Sequence, residues 1–238
     1  MPSALQYLDH RNQQLWEQVS SAFSITIEYH NEPSYGLYSI NKQVTIYVPH
    51  SQPCKVSFSH ELLHLWMDMK DISVSRTLSS TFKTDPLLKA LFKPGLSDHL
   101  GNCADHYKML PLYLEMGFAR ESFLDDYHTH KCAESELSQI ERWYNNSDIS
   151  SVQYATEQYL AKFFAMKACP NQIFDYSAPL LRLKALDNKL FNILEIFWNK
   201  LYEFDMSKND PVFNSYREFT YPFTQSLKNH LSDKFSHF

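Results

Sequence analysis

Apolar residues recur at helical spacing through residues 4–23. Leu5, Leu8, Leu15, Val19 and Phe23 are separated by polar positions, which predicts an amphipathic helix. The period then shortens to two. In SITIEY, Ile25, Ile27 and Tyr29 alternate with Ser24, Thr26 and Glu28, the pattern of a half-buried strand. The segment YGLYSINKQVTIYVP predicts a hairpin. Val44, Ile46 and Val48 alternate with Thr45 and Tyr47 on its second arm, Asn41-Lys42 supply a two-residue turn, and Pro49 and Pro53 end the extended stretch.

From Ser57 onward the signals are almost all helical. Ser57 or Ser59 is placed to cap a helix that begins near His60. A polar stretch, DISVSRTLSSTFKTDP, follows. Pro94-Gly95 marks a break, and Ser97 is placed to cap a second helix, DHLGNCADHYKML, with Pro111 and Gly117 punctuating what comes next. Beyond residue 134 lie several apolar-periodic stretches. The clearest, PLLRLKALDNKLFNILEIFWNKLYEF, predicts one long helix starting just inside Pro179. NNSDISS and MSKNDP read as helix–helix loops, and KNHLSDKFSHF as a frayed helix end. The expectation is an α+β fold, with a small N-terminal antiparallel sheet followed by a mostly helical C-terminal half, in one domain spanning residues 1–238.

Composition narrows the function classes. The 238 residues suffice for a real core, and 44% apolar residues with only 4 Gly exclude a disordered or fibrous chain. A formal net charge of −5 supplies no basic footprint, so no nucleic-acid partner is expected. No apolar run approaches the roughly 18 residues of a membrane span, and the first residues show no basic-then-apolar leader. A soluble, cytoplasmic protein is expected. The four cysteines, Cys54, Cys103, Cys132 and Cys169, are scattered without a CxxC pair, which predicts free thiols.

Candidate chemistry sits in SFSHELLHLWMDMK. On a helix, His60 and His64 project from one face a turn apart and can meet one metal ion, while Glu61, at the edge of that face, can reach a metal-held water as general base. Leu62, Leu63, Leu65 and Trp66 suit a buried, rigid helix. The competing reading is a buried helix whose imidazoles bond to backbone or carboxylate groups. A catalytic zinc needs a third protein ligand, and SDHLGNCADHYKMLP offers several on one short helix. Asp98, Asn102 and Asp105 share one face, and His99, Asn102 and His106 an adjacent one. Asp98 is equally suited to cap that helix. Tyr107 and His106 are candidates to stabilise an oxyanion. HTHKC would place His128, His130 and Cys132 on one face of a strand, but its flanks are not strand-like. A Gly-rich phosphate loop and a G-x-S-x-G elbow are both missing.

HELLH at 60–64, followed some 35 to 45 residues later by Asn102, Asp105 and His106 on a second helix, resembles the zincin metallopeptidases of the gluzincin type over roughly residues 25–117. The resemblance implies a metallopeptidase core over 1–120 with a helical extension over 121–238, zinc on His60, His64 and Asp105, and Glu61 as general base. It departs from the family at Asp105, where Glu is usual and Asp is one methylene shorter, and His106 is the alternative ligand. A weaker resemblance, to small zincins that cleave repressors, rests on Asp98 standing thirteen residues before Pro111. The expected function is zinc-dependent hydrolysis of peptide bonds in a protein or peptide substrate, with VTIYV as an outer strand along which that substrate could lie. The alternative is a catalytically inactive zincin-like module that binds a partner protein.

Overall fold

The computed structural model describes residues 2–51, 53–208 and 215–236. Among these the fold is α+β. One three-stranded sheet lies near the N-terminus and nearly everything after it is helical. The chain divides into two compact units. The first comprises residues 1–71 and 108–127, the second residues 72–107 and 128–238.

Unit 1 opens with a 3-10 turn at Ala4–Tyr7 and helix α1, Gln13–Ala22. The expected continuous helix over 4–23 is interrupted because Asn12 folds back. Its Oδ1 accepts from the Asp9 amide at 2.8 Å, and its Nδ2 donates to the Tyr7 carbonyl at 3.0 Å and to Ser59 Oγ at 2.8 Å. An Asn whose side chain bonds nearby backbone competes with the helix at that point. Strand β1 is Ser24–His30, β2 Gly36–Ile40 and β3 Gln43–Pro49. The β2–β3 hairpin closes as expected on Asn41-Lys42, at φ 48° and 66°. Two consecutive positive φ values suit the right-handed twist of the strands, and Asn tolerates them best after Gly. The sheet order is β1-β3-β2, with β1 parallel and β2 antiparallel to β3. This corrects two expectations. The sheet is mixed rather than purely antiparallel, and VTIYV is the central strand, hydrogen-bonded on both sides. Its alternation matches its burial, with Val44, Ile46 and Val48 inside.

Helix α2, Lys55–Met69, starts about one turn earlier than the serines suggested, after Cys54 and with no side-chain cap. Phe58, Leu62 and Leu65, at helical spacing, are fully buried. Tyr7 stacks on Phe58 at 4.9 Å, and Trp16 lies 5.9 Å from the same ring. The second segment of the unit is tied down by aromatics: Tyr113 stacks on Phe118 at 4.9 Å and meets Phe123 at 5.0 Å, while the Arg11 guanidinium sits 4.1 Å over Phe118.

Unit 2 contains α3 (Val74–Thr84), α4 (Pro86–Leu91), α6 (Glu134–Tyr144), α7 (Ile149–Lys167), α8 (Ser177–Leu186), α9 (Asn188–Glu203) and α10 (Arg217–Phe235). Helix α5, Pro94–Glu115, is continuous across the division. Residues 94–107 count with unit 2 and 108–115 with unit 1. It is longer than expected at both ends, keeps Pro111 inside, and is followed by Gly117 at φ 85°, a conformation glycine takes without penalty. The polar stretch after residue 70 forms α3, whose Val74, Leu78 and Phe82 are buried along one face. The predicted single helix from Pro179 is two helices. Asp187 is extended, and its Oδ1 caps α9 through the Leu190 amide at 2.8 Å, while its Oδ2 accepts from Tyr144 Oη at 2.6 Å and bonds His230 Nε2 at 2.9 Å. NNSDISS is the expected loop, with Asp148 capping α7 through the Ser151 amide. MSKNDP runs partly outside the described residues, as does the end of KNHLSDKFSHF, whose described part belongs to α10. All four cysteines are free thiols, two of them buried. Among the described residues no helix is long and apolar enough to cross a membrane.

Candidate metal centre

The apolar face of α2 fixes its rotation, and that rotation decides where the HELLH side chains go. Phe58, Leu62 and Leu65 point into the unit 1 core, which leaves His60, Glu61 and His64 half-buried on the adjoining face. The two imidazole centroids are 5.0 Å apart, with their planes at 66°. This is the one-turn pairing expected from the spacing. The His60 ring also packs 4.9 Å from Phe123 and hydrogen-bonds the backbone of that residue. A ring nitrogen tied to backbone fixes the orientation of the imidazole.

Burial disfavours the charged form of both imidazoles. It pushes His60 down to about 4, against the opposing pull of the Phe123 backbone bond, and His64 down to about 3, helped by the neighbouring His60. Both rings are therefore neutral at pH 7, the state a metal ligand needs. Glu61 shifts the other way. Burial, with the negative charge of Asp125 as a second contribution, raises it to about 7. A carboxylate poised there can both take and return a proton near neutrality.

Glu61 and His60 line a cavity of about 170 Å³, all within unit 1, with Tyr35, Ser57, Ser122, Phe123, Leu124 and Asp125 as its other walls. Tyr35 Oη accepts the Cys54 amide at 2.8 Å. Burial raises Tyr35 to about 12, so its hydroxyl keeps its proton at pH 7. Tyr35 and the 122–125 loop were not singled out in the sequence. The one local signal is the acidic pair Asp125-Asp126 directly after an apolar Phe-Leu, and it does not reveal that this loop returns to α2.

The downstream candidates separate. His106 lies on α5, in the part of that unbroken helix counted with unit 2 and two residues before Lys108. One ring nitrogen from each of His60, His64 and His106 belongs to a group whose ligand atoms all lie within 4.8 Å of one another. Three nitrogens sharing one zinc at 2.0–2.1 Å stand about 3.4 Å apart, against a span of up to 4.8 Å here. Among the described residues no other such group of His, Cys, Asp or Glu occurs, and HTHKC forms no second one.

Asp105 is engaged elsewhere. It is 1% exposed, and its carboxylate closes the N-terminus of α3. Oδ1 accepts the Val74 amide at 2.8 Å, and Oδ2 accepts Ser75 Oγ at 2.6 Å, Ser73 Oγ at 3.0 Å and the Ser75 amide at 3.3 Å. Burial nevertheless raises it to about 6. The carboxylate gives the Val74 and Ser75 amides, at the start of α3, the acceptor they lack within the helix. Asp98 and Asn102 are exposed, and the Asn102 side chain reaches Ser75 Oγ at 3.4 Å. His99 Nε2 lies 3.2 Å from the Ala161 carbonyl, and Tyr107 meets Trp198 edge-on at 5.2 Å.

Comparison of the chain with protein-family models, with curated proteins and with solved structures finds no match to any of the three.

Proposed function

We propose that this protein is a metallopeptidase that holds a divalent ion, zinc by the chemistry of its donors, on His60, His64 and His106, with Glu61 as general base. The observation that carries the reading is the pairing of a three-imidazole group with a neighbouring carboxylate in a cavity. Three neutral nitrogens in a half-buried setting suit zinc and leave a fourth position open. His106 is preferred to Asp105 as third ligand because the Asp105 oxygens already accept four donors.

Bound there, the ion would acidify a water and polarise a scissile carbonyl. Glu61 takes the proton of the attacking water and delivers it to the leaving nitrogen, both transfers near its raised pKa. Tyr35 is set to donate to the developing oxyanion. Its oxygen accepts from Cys54, no acceptor for its own proton occurs among the described residues, and it lines the same cavity. Phe123 and Leu124 supply apolar walls that limit water.

The test is cleavage of an unstructured protein by metal-loaded wild type and by Glu61→Gln, with bound metal quantified in both. The expected result is equal metal content and a loss of about 10²-fold or more in rate. Equal rates would remove the peptidase reading and leave the non-catalytic binding module.

A further inference from the structure

We propose that Asp125 makes the cleft select substrates carrying a lysine or arginine beside the scissile bond. The inference rests on the metallopeptidase reading of the same cavity and names the substrate class it takes. Of the eight residues lining the cavity, two are carboxylates, Glu61 and Asp125, and none is Lys or Arg. Glu61 is committed to proton transfer in the proposed chemistry. Asp125 has no such task. It is exposed on the loop that forms the far wall, and no hydrogen bond or ion pair engages it among the described residues.

The loop that carries Asp125 is anchored immediately before it. Tyr113 Oη donates to the Ser122 carbonyl at 3.0 Å and lies 3.1 Å from Ser122 Oγ, and Phe123 packs against both Tyr113 and His60. The carboxylate is thus held at the cavity wall by a packed loop. The apolar parts of Tyr35, Phe123 and Leu124 share the cavity with the exposed Asp125 carboxylate, so a side chain occupying it meets both hydrocarbon and a negative charge. Lysine and arginine have that composition, an aliphatic stem with a cationic head. A glutamate at the same substrate position would bring a like charge toward both Asp125 and Glu61.

The experiment compares quenched-fluorescent peptides that differ only in having Lys, Leu or Glu next to the cleaved bond. The enzymes are metal-loaded wild type, Asp125→Asn and Asp125→Lys, with metal content measured in each. Expected is a preference of about fivefold or more for Lys over Glu in kcat/KM, lost in Asp125→Asn and inverted in Asp125→Lys. A wild-type ratio near one, or a ratio that survives Asp125→Lys, overturns the proposal. Loss of metal from Asp125→Asn also overturns it, since Asp125 would then belong to the metal site. If no peptide is cleaved by any variant the peptidase reading fails, and binding of the same peptides by fluorescence anisotropy decides the selectivity. A Lys preference that inverts with Asp125→Lys upholds it, and equal affinities overturn it.

Discussion

Asp105 and His106 are neighbours in sequence, and a helix turns by about 100° between them, so they serve different ends. Asp105 closes α3 and His106 joins His60 and His64. Their variants should therefore diverge. Asp105→Ala leaves the amides of Val74 and Ser75 without an acceptor in a buried setting, and about 1–3 kcal/mol of stability should be lost with metal stoichiometry unchanged. His106→Ala should lose the metal while keeping most of its stability in the metal-free state. Metal analysis with urea titration separates the two, and the opposite pattern would restore Asp105 as the ligand. At this scale the one-turn pairing of His60 and His64 was legible, because i, i+4 spacing on an apolar helix admits few rotations. The sequence left the third position open between adjacent residues, because the helix that consumes Asp105 lay in a stretch whose serines and threonines masked Val74, Leu78 and Phe82.

Gly101 explains how closely two of these helices run. A Cβ there would stand 2.3 Å from Ser75 Cα, so α5 passes α3 backbone against backbone, both positions lying in unit 2. Gly→Ala inside an exposed helix ordinarily stabilises by about 1 kcal/mol. Gly101→Ala should do the reverse, destabilising by about 1–3 kcal/mol because the backbones must part. Thermal unfolding reads the sign, and a raised midpoint would show that the approach is not tight. Elements whose limits are set locally were legible. The β2–β3 hairpin needed only alternation and Asn41-Lys42. Those set by distant partners were not. The neighbours of β3 follow from a parallel pairing with β1 across the whole hairpin, and the break at Asp187 depends on Tyr144 and His230, each 43 residues away.

For the whole molecule, the buried titratable groups make stability depend on pH in opposite senses. His60 and His64 have folded pKa values of about 4 and about 3, below the ordinary 6.5. The unfolded chain therefore binds more protons between those limits, and stability rises with pH there. Glu61, raised from 4.5 to about 7, does the reverse, and its contribution is lost as pH climbs through that window. Metal-free Glu61→Gln should accordingly be more stable than wild type at pH 8, where the variant has removed a buried charge. The gain should vanish near pH 5, where Glu61 of the wild type is protonated. Unfolding midpoints at the two pH values measure this, and a pH-independent difference would contradict the raised ionisation.

The first unit is assembled from two stretches of chain with 36 residues of the second between them, residues 72–107. The HELLH helix is made early, yet the wall of its cavity, 122–125, is made last. While the polypeptide is still emerging from the ribosome, this cavity has no far side. A chain that ends before residue 122 therefore carries His60 and Glu61 on α2 without the Ser122–Asp125 wall that closes the cavity around them.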